Sequence, residues 1–252
     1  MTERTMGTPK HAIWILLCAV FVGGMLFLGR RLHFSRRCAG YIMTAFCLLS
    51  EISKMMSSMT ASPGGGMHLD ALDLPFHLCS LLLFVVFYIT FGREGKAKQV
   101  CMNFLAVAGA LGSVCAILIP TNGVDFGDIA AYQCFVYHGA LLWFSLYLIV
   151  SGQARLGVRS WLTNLLVLAV LVLLMLYVNG ALSAYDTNFF YLTRPPMKHL
   201  PLLNLNHGWY AYFLTLVGLG ISLMTLFHLP FMIADRIRSK QDAKEAACQT
   251  VR

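Results

Sequence analysis

Seven runs of consecutive apolar residues, each long enough to cross a bilayer as a helix, constrain this chain more than any other feature. They cover Ala12–Gly29, Ala39–Met59, Leu72–Phe91, Val100–Pro120, Ala131–Ser151, Trp161–Leu182 and Trp209–Ile233. A hydrocarbon core about 30 Å thick takes about 20 residues of helix to cross. Inside it no water is available to backbone N–H and C=O groups, so each segment has to satisfy its own, and a helix does so. The expected fold is therefore all-α, a polytopic bundle of seven transmembrane helices over residues 1–235 with a cytoplasmic tail at 236–252. Composition closes off the alternative: 12% of residues are charged, about half the share a soluble domain uses to solvate its surface.

Charge placement orients the bundle. The connections after the first, third and fifth runs, together with the C-terminal tail, carry 14 of the 19 Lys and Arg residues, against 4 on the opposite side. The positive-inside rule then places the N-terminus out and the C-terminus in. This placement explains the net charge of +8 without nucleic acid, which is not expected as a partner. The first run is preceded by Arg4 and Lys10, as a signal peptide would be. It has no small-x-small cleavage site, ends at Arg30-Arg31, and is taken as a retained span.

Eight cysteines are present, six of them inside the apolar runs, with Cys38 and Cys248 assigned to the inner side. This gives no disulfide framework, and the absence of CxxC or CxxH spacing gives no zinc site. No metal or other cofactor is expected. The connections expected to shape the outer face are Ala61–Gly66, Thr121–Asp128 and the Pro-rich, aromatic link Ser183–His207. The last of these could lie over an outer mouth. The tail is expected to continue the seventh span briefly and then lose order.

The orientation gives every intramembrane polar residue a depth. Glu51 and Lys54, His77, Cys79 and Ser80, Gln133, Cys134, Tyr137 and His138, and Tyr177 and Asn179 all fall in the outer halves of their spans. Ionisable groups in lipid are costly unless they pair or line a wet cavity, so this convergence marks a candidate site. Glu51 and Lys54 are three apart and can pair on one helix face. Cys134 and His138, four apart, share a face. His77 and Cys79, two apart, do so only across a distorted turn, for which Pro75 supplies a cause. The other cysteines, Cys115 included, are expected to be packing residues. His228 reads as an interfacial anchor, and Trp161, Tyr210 and Tyr212 as an aromatic belt.

Several short motifs carry a resemblance. Leu74-Pro75-Phe76-His77-Leu78-Cys79 resembles the LPLHLC signature of the YwaF-like integral membrane proteins of bacteria. Gln133 to Gly139 (QCFVYHG) and Thr187 to Leu192 (TNFFYL), followed by Arg194, Pro196 and the Trp209-Tyr210 pair, are similar to further segments of that family in the same order. The resemblance implies a multi-pass protein of the bacterial cytoplasmic membrane. It singles out His77, Cys79, Gln133, His138, Asn188 and Arg194, and passes over Cys134, where relatives carry an aromatic residue. The family is also distantly similar to an animal multi-pass acyltransferase that remodels ether phospholipids through a membrane-embedded cysteine. That likeness implies Cys79 as an acyl-accepting nucleophile with His77 or His138 as its base. Gln133, Asn188, Arg194, Glu51 and Lys54 would then contact a substrate.

Two functions follow as expectations. The first is lipid acyl transfer or hydrolysis at a site open to the outer leaflet, with membrane lipids as partners and a phospholipid as substrate. The second is a small-molecule or ion-coupled transporter or ligand-binding membrane protein, suggested by the Glu51–Lys54 pair. The apolar inner halves of the spans offer a transporter no polar path. Bis-histidine ligation by His77 and His138 is a weaker third, without supporting spacing.

Overall fold

The computed structural model describes residues 6–60, 71–197, 200 and 202–250, and of 57–60 and 238–250 only the backbone. Among the described residues there is no strand, and seven long helices: α1 (Pro9–Arg31), α2 (Arg36–Thr60), α3 (Leu78–Phe91), α4 (Lys96–Leu118), α5 (Ile129–Val150), α6 (Val158–Ala181) and α7 (Gly208–Thr250). Five of them are long and apolar enough to cross a membrane: α1, α4, α5, α6 and the Gly208–Ile237 part of α7. Helix α3 is apolar but has 14 residues, and α2 has the length but carries Glu51 and Lys54 within it.

Local chemistry explains the helix ends. Pro9 occupies the first turn of α1, where its missing N–H costs nothing, and the Thr8 hydroxyl accepts from His11 N at 3.3 Å. The Asp128 carboxylate caps α5 by accepting from Ala130 N at 2.9 Å. Helix α3 begins six residues later than its apolar run, because Pro75 disfavours helical geometry at Leu74. The run opens instead with a 3-10 turn (Ala71–Asp73), and His77 (φ −68°, ψ 150°) is still extended. The tail also departs from expectation: α7 stays helical to Thr250. The expected loop Ala61–Gly66 lies outside the described residues.

Helix α5 is the hub, packed against α1, α2 and α4. Its Leu141, Trp143, Phe144 and Leu148 are fully buried. Small residues permit the closest approaches, as in other membrane helix pairs. A Cβ on Gly40 of α2 would stand 2.5 Å from the Thr90 hydroxyl of α3. A Cβ on Gly109 of α4 would stand 2.4 Å from Ser145 Oγ of α5, which donates to Leu105 O at 3.1 Å. Gly109 closes a π-helical turn, Leu105–Gly109, a distortion that frequently accompanies functional sites. Gly109→Ala is expected to lower stability by about 1–3 kcal/mol, the usual cost of overpacking. The double variant with Ser145→Ala should recover most of it, and detergent-resistant thermal unfolding of both reads the difference. Helices α6 and α7 lie at the edge, with most of their apolar surface outward.

The two ends of the bundle are held separately. At one end Lys10 pairs with Asp125 at 3.2 Å, His11 Nε2 donates to Ile117 O at 2.8 Å, and Trp14 Nε1 donates to Val124 O at 3.1 Å. The Gly127 N–H and then Lys10 hold the Asp125 carboxyl below its ordinary range. At the other end Tyr147 donates to Phe34 O at 2.7 Å, Glu94 pairs with Arg36 and Lys98, and Gln99 donates to Gln153 O at 2.8 Å. Hydrogen bonding from Lys98, then the charge of Arg36, lowers the Glu94 carboxyl.

His228 is not an interfacial anchor. It is fully buried, donates from Nδ1 to Met224 O at 2.8 Å, and accepts at Nε2 from Asn164 Nδ2 at 3.3 Å. Asn164, also fully buried, reaches Asn103 O at 3.2 Å. This clasp ties α4, α6 and α7 together across apolar surroundings. Tyr212 is likewise no belt residue: it is 1% exposed and its hydroxyl donates to Tyr191 O. Tyr210, 78% exposed, does face outward.

Candidate functional site

Most of the polar residues that share a depth in the sequence also share a cavity; Tyr177, which is exposed, and Asn179, which clasps Phe189, do not line it. It has a volume of about 1130 Å³ and is lined from α2, α3, α4, α5, α6, α7 and the α6–α7 connection. Glu51, Lys54, His77, Cys79, Gln133 and His138 all line it. Asn188 and Arg194 do not, and both are occupied in shaping the connection. Asn188 Oδ1 accepts from Thr193 N and Oγ1 and from Arg194 N, at 3.0, 2.7 and 3.3 Å, while its Nδ2 donates to Arg194 O at 2.9 Å. Arg194 makes a two-pronged pair with the Asp186 carboxylate, at 2.5 and 2.8 Å.

Cys79 is the second residue of α3. His77, at the cap, offers no side-chain hydrogen bond to the first turn. The leading N–H groups of a helix have no intrahelical partner, and the peptide dipoles favour negative charge there. Cys79 and the adjacent N–H groups therefore sit where a thiolate or an oxyanion gains most from the backbone. Because His77 precedes the helix, the angle that would separate it from Cys79 on a regular helix does not apply, and both reach the cavity. Tyr137 of α5 donates to Cys79 O at 2.6 Å, holding that turn against α5.

His138 is oriented by its own helix. Nδ1 lies 2.7 Å from Cys134 O, and since a carbonyl only accepts, Nδ1 carries the proton and Nε2 keeps its lone pair. Cys134 Sγ lies 3.6 Å from that same Nδ1. The contact is real, but the nitrogen facing Cys134 is the protonated one and cannot take a thiol proton. The pair favoured by local spacing is thus the wrong pair for base catalysis, and Nε2 is the nitrogen left to act.

Charge at the mouth is balanced. Lys54 Nζ pairs with Glu51 at 2.7 Å and donates to Ser80 Oγ at 3.4 Å. Gln133 Nε2 donates to Ser50 Oγ at 2.7 Å. Cys115 lines the cavity as well, which its apolar surroundings in the sequence did not reveal. Among the described residues no three His, Cys, Asp or Glu side chains converge to hold a metal ion.

The α6–α7 connection forms the roof. Its 3-10 turn Phe189–Tyr191 packs on His77, with ring centroids 5.3 Å (Phe189) and 5.4 Å (Tyr191) from the imidazole. Phe189 is fully buried and clasped by Asn179, which accepts from Phe189 N at 2.8 Å and donates to Phe189 O at 3.0 Å. Phe190 (φ 59°) and Tyr191 (φ 55°) are both left-handed, a costly geometry for bulky residues that persists only where the surroundings dictate it. Trp209 Nε1 donates to Leu192 O at 2.9 Å and helps to hold the turn down.

A family model, that of the TMEM164 family, matches residues 6–228. The chain belongs to the TMEM164 family. No curated protein matches, and no solved structure matches. Membership in the TMEM164 family, together with five helices able to cross a membrane, makes this a multi-pass integral membrane protein in contact with lipid. The match takes in every residue that lines the cavity, from Ser50 to Met224. The short YwaF-like motifs lie within the same TMEM164 family match, and their likeness remains a resemblance.

Proposed function

We propose that this member of the TMEM164 family transfers or hydrolyses lipid acyl groups through Cys79. The observation that carries this reading is the placement of Cys79 in the first turn of α3, whose cap residue His77 makes no side-chain capping bond, inside a cavity that also holds two histidines and a lysine. All seven helices cross the membrane in this reading, N-terminus out and C-terminus in. It is supported by the contacts at the two ends, since each joins connections that the charge pattern assigns to one side.

The thiolate of Cys79 attacks the carbonyl carbon of an ester-linked acyl chain. A C–S bond forms, the ester C–O bond breaks, and the departing alkoxide takes the proton that the histidine base removed from the thiol. Water or the hydroxyl of an acceptor lipid then attacks the thioester, passes its proton to the histidine, and leaves as acid or new ester while the thiol is restored. His138 acts through Nε2, and His77, under the roof, is the alternative base. The N–H groups at the start of α3 stabilise the tetrahedral oxyanion. Lys54, with its charge tempered by Glu51, binds the lipid phosphate, and Gln133 hydrogen-bonds the glycerol region. Asn188 and Arg194 act at one remove, by shaping the roof.

The test is labelling of the purified protein in detergent with a long-chain acyl thioester, followed by peptide mapping. Hydroxylamine-labile acylation of the peptide carrying Cys79 is the expected result, with slower labelling in His138→Ala. Absence of label on that peptide would discard the acyl-enzyme and favour a transported or bound ligand at the same polar groups.

A further inference from the structure

The catalytic groups occupy only the outer part of the cavity, and its remainder has a different chemistry. From Phe213 to Met224 the lining on α7 takes in every residue but Leu214, Thr215, Gly218 and Ser222, a broad apolar stripe. On α6 it runs through Leu165, Leu168 and Val172. Three turns of such a stripe extend roughly 16 Å along the helix axis. No polar side chain of α6 or α7 lines this part. Next along the two helices from Leu165 and Met224, the buried Asn164 and His228 join them by a hydrogen bond of 3.3 Å.

Gly220 stands part-way along the stripe. It lines the cavity, and a Cβ built there would meet nothing within 4 Å. Glycine is therefore not needed for helix packing at this position, and any side chain would project into open space. Gly218, two residues earlier, also has nothing within 4 Å of a built Cβ but does not line the cavity.

The geometry points to an acyl-chain channel between α6 and α7, with the Asn164–His228 clasp as its floor and Gly220 as the residue that sets how long a chain it admits. This rests on the acyl-transfer reading and extends it to specificity. The occupant is one fatty acyl chain: the lining on α6 and α7 is apolar throughout, and the same cavity holds the thiol that would carry the thioester. A chain attached at Cys79 has its methyl end near Met224. A bulky side chain at 220 shortens the space without touching the chemistry.

The experiment uses the full chain in lipid nanodiscs with two probes. The first is a series of acyl thioesters from octanoyl to stearoyl, scored by acylation of Cys79. The second is a phospholipid with a diazirine at the methyl end of its stearoyl chain, scored by the site of photo-crosslinking, which needs no reaction at Cys79. Gly220→Phe, with Gly220→Leu as the milder variant, is expected to lower the stearoyl rate relative to octanoyl at least about tenfold, the scale set by a misfitting methylene or two. Gly218→Phe should leave the profile unchanged. Crosslinks in the wild type should fall on α6 and α7 near Met224 and shift outward in Gly220→Phe.

An unchanged chain-length profile in both Gly220 variants, or equal changes in the Gly218 and Gly220 variants, would overturn the channel while leaving acylation of Cys79 standing. No acylation at any length, with crosslinks near Met224 that move in Gly220→Phe, would uphold the channel and discard the acyl-enzyme. Crosslinks that never reach α6 or α7 would overturn the channel by themselves.

Discussion

Cys79→Ala is expected to abolish acyl transfer, with a loss of at least about a thousandfold, because a covalent nucleophile has no substitute within its own site. Three thiols line the cavity, and the prediction separates them. Cys115→Ala and Cys134→Ala, the first at an exposed thiol and the second at a buried one, are expected to stay within about threefold of wild type, as cysteines that act only as small apolar residues do. Cys134 lies 3.6 Å from an imidazole nitrogen that already gives its proton to a carbonyl. Cys115 comes late in α4, in the last turn before Leu118, where no helix N-terminus is available to it. Cys79 alone of the three has the leading N–H groups of a helix beside it. Lipid turnover by reconstituted protein, measured alongside thermal unfolding, gives the answer. Full activity in Cys79→Ala, or a larger loss in Cys134→Ala, would end the assignment.

The second large effect concerns the roof. Phe189→Ala is expected to cost about 3–5 kcal/mol, the usual range for removing a fully buried aromatic ring. Phe189 is completely enclosed, packs edge-on against both Phe76 and His77, and has its backbone clasped on both sides by Asn179. Two consecutive left-handed residues follow it, and without the ring their strained geometry rests on the hydrogen bonds from Asn179, Trp209 and Tyr212 alone. The connection 183–207 should then be cut by protease in folded protein, and acylation should fall because His77 loses the rings that fix it. Asn179→Ala should show the same pattern at about 1–3 kcal/mol, the cost of leaving buried backbone groups unpaired. A resistant connection in Phe189→Ala would mean that Trp209 and Tyr212 hold the roof without it.

Residues along the chain differ in how far their roles could be read in advance. The helices of α1, α4, α5, α6 and α7 follow from runs of apolar residues, because lipid forces the backbone to bond within each segment. The shared depth of Glu51, Lys54, His77, Cys79, Gln133 and His138 was legible too, since helix direction and position in a run give depth. What faces what was not. Cys134 and His138 looked paired because they are four apart, yet which imidazole nitrogen is free depends on a backbone carbonyl. Tyr212 and His228 looked like interfacial residues from their places in the run. Their burial comes from the roof that covers Tyr212 and from the α4–α6 surface that encloses His228.

The sequence by itself determined that this chain is a helical membrane protein with Glu51, Lys54, His77 and His138 inside its apolar runs, because span length, charge placement and the price of burying charge are local properties of a segment. Tertiary structure decided that His77 precedes a helix whose start carries Cys79, that Asn188 and Arg194 shape a roof instead of lining the cavity, and that Asn164 and His228 meet in a buried hydrogen bond. These depend on contacts between segments far apart in the chain. Apolar helix faces in lipid do not choose their neighbours by hydrophobicity, so close packing at residues such as Gly40 and Gly109, and a few buried hydrogen bonds, make that choice.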